Sequence, residues 1–154
     1  MKIHKILIFS IALCLFASCM QHDGYIGKWF GSWYLEEMLV NGEIDEEYED
    51  FKTRDDRQVM VNFQSQLFNM AYINSSEIYG TWDYTDEILT LNSSYNAGSG
   101  YQSDYFNPYP TIMHFPAGVE ILQIPVTKQN GRTMQWQYSD AEGNIRIYNF
   151  RKYP

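Results

Sequence analysis

The side chains in this sequence that could do chemistry in a folded domain are one histidine, a set of carboxylates and four tryptophans. His114 stands in Ile112-Met113-His114-Phe115-Pro116, and none of the spacings GxSxG, HExxH or the P-loop accompanies it. In so apolar a run it is expected to be a core or loop residue satisfied by a hydrogen bond, rather than a general base. Asp83 beside Trp82 suggests one half of a sugar-hydrolysing pair, but that reaction needs a second carboxylate about 5 to 9.5 Å away. Nothing in the linear sequence supplies one. The run Glu43-Ile44-Asp45-Glu46-Glu47-Tyr48-Glu49-Asp50-Phe51, followed by Asp55 and Asp56, offers oxygen ligands for calcium. A calcium loop of the EF-hand kind turns on a Gly at its sixth position. Here the sixth residue from Asp45 is Asp50, and no Gly occurs before Arg57. No enzyme, metal site or cofactor is expected.

Two sets of aromatics remain as ligand candidates. Trp29, Trp33, Trp82 and Trp136 all fall in strand-like segments, where they would either line an apolar cavity or fill a core. The stretch Ser94 to Thr111 combines Tyr101, Tyr105 and Tyr109 with Tyr95, Phe106, Gly, Ser and Asn. Tyr gives large amphipathic contact area at little entropy cost, and small residues let it adapt. This loop is expected to be either a lid over one end of the domain or a contact surface for a protein or glycan.

Cys19 carries the one expected covalent modification. Lys2 and Lys5 precede the apolar run Ile6 to Phe16, which is shorter than the roughly 18 to 20 residues a bilayer span needs. The run closes in Leu15-Phe16-Ala17-Ser18-Cys19, which resembles the lipobox of bacterial lipoproteins. That resemblance implies a signal peptide over residues 1–18, a lipid on Cys19, a tether through residue 26 and a domain over 27–154. It implies a place in the cell envelope on a lipid anchor, at the outer membrane, on its periplasmic or surface face. The other cysteine, Cys14, would leave with the signal, so the mature domain would hold no free thiol, disulfide or thiolate metal site.

Removal of 18 residues from 154 leaves 136, enough for one domain with a sizeable core. The loss of two lysines leaves 9 basic against 19 acidic residues, a net charge of −10. A domain so acidic repels nucleic acid and anionic lipid surfaces, and a monomer is expected.

The positioning elements read as strands. Lys28 to Glu37 is rich in strand-favouring aromatics and stops at Asn41-Gly42. Gln58 to Gln64 alternates apolar and polar residues, and Leu67 to Ile73 follows it closely, which predicts a hairpin. Ile78 to Thr85 and Ile88 to Ser93 form a second pair through Asp86-Glu87. Val119 to Thr127 is an edge or bulged strand because of Pro125. Asn130-Gly131 leads into Arg132 to Ser139, and Asn144 to Lys152 ends the series. Ile44, Tyr48 and Phe51 fall at i, i+4 and i+7. A short helix near residues 43–52 would bury that stripe and leave the acids in water, and a solvated loop is the other reading. The prediction is an all-β, antiparallel up-and-down meander of eight strands that closes into a barrel and so removes its edges.

A GxW-like opening (Gly27-Lys28-Trp29 or Gly31-Ser32-Trp33), a central Gly80-Thr81-Trp82 followed by Ile88-Leu89-Thr90-Leu91, and the ending Phe150-Arg151-Lys152 resemble the small lipocalin-like lipoproteins of Gram-negative bacteria. The acidic segment Glu43 to Arg57 and the loop Ser94 to Thr111 depart from the pattern. The resemblance implies an eight-stranded barrel with an internal apolar cavity for a small apolar or amphipathic ligand. It carries over no enzymatic residues.

Overall fold

Alternation of buried and exposed side chains builds the wall of this molecule. The computed structural model describes residues 27–55, 58–72, 78–93, 111–116 and 118–154. Its elements are β1 (Gly31–Val40), β2 (Glu43–Ile44), α1 (Glu46–Asp55), β3 (Val59–Gln64), β4 (Leu67–Tyr72), β5 (Ile78–Thr85), β6 (Ile88–Asn92), β7 (Ile121–Gln129), β8 (Thr133–Ser139) and β9 (Ile145–Lys152). In β3, Val59, Val61 and Phe63 are buried while Met60 and Asn62 are not, and β6, β7, β8 and β9 repeat the period of two.

Apart from β2, each strand pairs antiparallel with the next, and β1 then pairs with β9 from Trp33↔Lys152 to Val40↔Arg146. The result is a closed eight-stranded up-and-down barrel, as the meander predicts. The two-residue β2 hangs on the end of β1 through Leu39↔Ile44. β1 bridges the seam by dividing its length: Gly31 to Tyr34 pair with β3, and Trp33 to Val40 pair with β9.

Irregularities in the wall have identifiable causes. The register between β1 and β9 shifts between Leu35 and Glu37, so the buried series steps from Trp33 and Leu35 to Met38. This is a bulge, which sets one extra residue into the strand and changes the phase of its side chains. Pro125 sits opposite Ile88, and the β7–β8 register begins only at Val126. Because the Val126 N–H donates to Glu87 O at 2.8 Å, the proline nitrogen faces the β8 side, where the ladder has not yet begun. At Gly80 a Cβ would lie 2.1 Å from the Asn92 carbonyl oxygen and 2.5 Å from Phe68, so that point of β5 admits no side chain.

The boundaries correct the expectations in three places. The first strand starts at Gly31 rather than Lys28, because residues 27–29 form a turn. The helix runs Glu46–Asp55, since Glu43 and Ile44 are drawn into β2 across the Asn41-Gly42 turn. Tyr48 and Phe51 are buried as the stripe requires, but Ile44 is 56% exposed. Among the described residues no helix is long and apolar enough to cross a membrane.

Asp86 and Glu87 join β5 to β6 with φ of 53° and 65°, the left-handed pair that a two-residue hairpin requires. A left-handed L-residue costs roughly 1–2 kcal/mol, and glycine avoids this at an entropic cost of roughly 0.5–1 kcal/mol. Glu87→Gly should therefore stabilise the protein by about 0.5–1 kcal/mol. Its urea midpoint should rise, and a lower midpoint would contradict the turn assignment.

Candidate functional site

Inward-facing positions are the candidate site, and large aromatics occupy many of them. Trp29, Trp33, Trp136, Phe63, Phe68, Tyr148 and Phe150 are each no more than 2% exposed. One end of the barrel is closed by Trp29 on the turn ahead of β1. Its ring lies 5.2 Å from Phe63, 5.4 Å from Trp82 and 4.8 Å from Tyr84. Of the two GxW sequences, Gly31-Ser32-Trp33 opens the barrel. Gly31 has φ +109° and lies against Lys152, whose ammonium sits 5.4 Å from the centre of the Trp33 ring. Gly27-Lys28-Trp29 precedes it, and the Trp29 carbonyl accepts the Trp33 indole N–H at 2.7 Å.

The opposite end is covered by α1 and by the limb Thr111–Pro116, which buries Ile112, Met113 and Phe115. Two phenols fix these covers. Tyr48 on α1 donates to Leu35 O at 2.5 Å, and Tyr148 on β9 donates to Met113 O at 2.5 Å. Burial raises the pKa of both phenols, which keeps them neutral donors.

An ion cluster lies between the same elements. Arg146 on β9, 8% exposed, donates to Asp45 and to Asp140, each at 2.7 Å. Asp45 uses its second oxygen to accept the Tyr48 N–H at 3.0 Å, which makes it the N-cap of α1. Asp140 also accepts from the Asn144 backbone at 2.8 Å and from its side chain at 3.1 Å. Burial pushes the Asp140 carboxyl up, but the hydrogen bonds from Arg146 and Asn144 outweigh it and hold it at about 2. Asp45 thus has a structural role that differs from both calcium ligation and free solvation.

The four tryptophans are brought to the interior but differ in their polar atoms. The Trp33 indole is satisfied by Trp29 O. The indole N–H groups of Trp82 and Trp136 are buried and have no acceptor among the described residues. Trp82 packs 4.8 Å from Phe63, and Trp136 packs 4.4 Å from Phe150. Asp83 is exposed on the outer face and accepts a hydrogen bond from Thr85, so it stands on the opposite side of the wall from Trp82. His114, with φ of 53°, lies 3.5 Å from Glu47 at the edge of the covered end, but its Nε2 is buried and makes no hydrogen bond among the described residues, which corrects the expectation of a satisfied histidine. Among the described residues no group of three metal-ligating side chains assembles.

Cys19, Tyr101, Tyr105 and Tyr109 lie outside the described residues. At the end of β6, just before the Tyr-rich loop, Ser93 donates to Glu120 O ahead of β7 through its N–H at 2.8 Å and its hydroxyl at 3.1 Å. The orphan indoles and the Asp45–Arg146–Asp140 cluster are absent from the sequence reading. Only the capping pattern of Asp45 three residues ahead of Tyr48 could have hinted at the second.

No protein-family profile and no curated protein matches the sequence. Among solved structures, a lipocalin-like protein from Bacteroides uniformis ATCC 8492 superimposes with a TM-score of 0.50 at 14% identity, over 82% of this chain and 100% of that one. An uncharacterized protein from Bacteroides eggerthii DSM 20697 gives a TM-score of 0.49 at 19% identity, over 81% of this chain and 99% of that one. Identities this low speak to the fold. With a closed eight-stranded antiparallel barrel, one short helix and the superposition on the first of these structures, the chain has a lipocalin-like fold.

Proposed function

We propose that the protein is a non-enzymatic envelope lipoprotein, anchored through Cys19, whose barrel holds a small amphipathic ligand. The observation that carries the ligand reading is the pair of buried indole donors on Trp82 and Trp136. A buried N–H left unpaired costs about 1–3 kcal/mol, so native proteins pair such groups with an acceptor or an ordered water. A ligand carbonyl or ether oxygen meets that need in an otherwise apolar interior.

Charge narrows the ligand further. Among the described residues the buried polar and charged ones are Asp45, Ser93, Asp140 and Arg146, and the guanidinium is already shared by two carboxylates. An anionic head group inside the barrel would lack a counter-ion, and an unpaired buried charge is strongly disfavoured. A neutral acceptor, such as an ester or ketone on an apolar chain, fits this interior.

Residues 20–154 made as a secreted domain should carry a bound small molecule in native mass spectrometry, and should bind an added long-chain ketone. Trp82→Phe and Trp136→Phe keep an aromatic ring and remove the donor. Each should weaken ketone binding about five- to ten-fold, the equivalent of one hydrogen bond. If the domain carries no small molecule and takes up no ketone, the indoles are served by water and the barrel has another role.

A further inference from the structure

A concavity lies on the surface, outside the barrel interior. It is a groove of about 470 Å³ between the limb His114–Pro116 and the β8–β9 turn, within the size range of small-molecule sites. Its aromatic walls are Phe115 and Tyr138, whose rings meet 5.2 Å apart at 89°. Aromatic faces carry negative electrostatic potential and attract cations, most of all alkylated ammonium groups that have few hydrogen bonds to lose.

The charges around the groove have the matching sign. Asp45 and Asp140 share the single guanidinium of Arg146, which leaves the cluster one negative charge in excess. Glu142 lines the groove, is exposed, and makes no ion pair among the described residues. Glu47 lies across the limb, 3.5 Å from His114. Tyr138 registers this field: burial and the negative charge of Asp140 both raise its pKa.

We propose that this groove binds a small organic cation, an alkylammonium group, with Phe115 and Tyr138 against its carbon atoms and Glu142 as its counter-charge. The site is independent of what the barrel holds.

The probe is tetramethylammonium, with 2,2-dimethylpropan-1-ol as a neutral compound of nearly the same shape. Each is titrated into the isotope-labelled full-length chain in non-ionic detergent and followed by amide chemical shifts. Tetramethylammonium should shift the Tyr138, Ala141 and Glu142 amides saturably, and the alcohol should not. Tyr138→Leu and Glu142→Gln should each weaken binding about three-fold. Raised ionic strength should weaken it as well. Should Tyr138→Leu disturb the fold, the exposed Glu142→Gln decides the matter alone. Equal binding of the alcohol, absence of saturable shifts, or unchanged binding by Glu142→Gln would overturn the proposal.

Discussion

Arg146→Met should destabilise the protein by about 3–5 kcal/mol, because it leaves two buried carboxylates facing each other without a cation. Met fills much of the same volume, so the loss reports charge rather than a cavity. Both ends of the guanidinium are engaged at 2.7 Å, by Asp45 on the approach to α1 and by Asp140 in the β8–β9 turn. The melting temperature should fall by roughly 10–20 °C for a domain of this size. α1 should loosen first, since Asp45 both caps it and ties it to β9. Replacing all three charges together, D45N/D140N/R146M, should recover most of the loss, because neutral groups carry no such desolvation penalty. The check is urea denaturation of the single and triple variants. A loss below about 1 kcal/mol for Arg146→Met would show that the cluster is weakly coupled.

Acid should act on the same cluster. The Asp140 carboxyl is depressed from 3.8 to about 2 in the folded protein. A depressed carboxylate contributes stability that is fully present above its unfolded pKa and disappears as pH falls through its folded one. The wild type should therefore lose stability between about pH 4 and pH 2. In Arg146→Met the groups that depress Asp140 are reduced to Asn144, and that acid-dependent loss should shrink.

The sequence makes the barrel legible because alternation is a local property. Val59, Val61 and Phe63 announce their buried face without knowledge of their neighbours, and the hairpins after Gln64, Thr85 and Gln129 follow from short breaks between such runs. What alternation cannot show is a change of phase. Glu36 and Glu37 look like two ordinary polar residues, yet the bulge there decides that Met38 rather than Glu37 faces inward. Asp45 is hidden for a different reason. Its partner Arg146 lies 101 residues away, so the one carboxylate of the acidic run that is buried cannot be told from its solvated neighbours by composition. The same limit applies to the tryptophans. The burial of Trp33, Trp82 and Trp136 follows from strand periodicity and that of Trp29, on a turn, does not, but whether an indole N–H meets a carbonyl, as in Trp33, or no acceptor among the described residues, as in Trp82 and Trp136, depends on chain packing that no spacing encodes.

Cys19→Ala should abolish incorporation of a fatty-acid label altogether, since the attachment we propose depends on a single sulfur. Ala17 and Ser18 supply small residues before the cysteine, Ile6 to Phe16 supply an apolar run of the length a signal needs, and the only other cysteine, Cys14, lies within that run. Each buried acyl methylene contributes about 0.8 kcal/mol, so two or more chains hold a protein stably on a membrane while none leaves it free. The substitution should leave the domain intact, because the first buried core residue described is Trp29 and the first strand begins at Gly31. Metabolic labelling followed by detergent phase partition checks both halves: wild type should enter the detergent phase with label, and Cys19→Ala should stay in the aqueous phase without it. Circular dichroism of the variant should retain the β-sheet spectrum. Label on Cys19→Ala, or none on wild type, would remove the anchor from the proposal and leave the barrel reading as it stands.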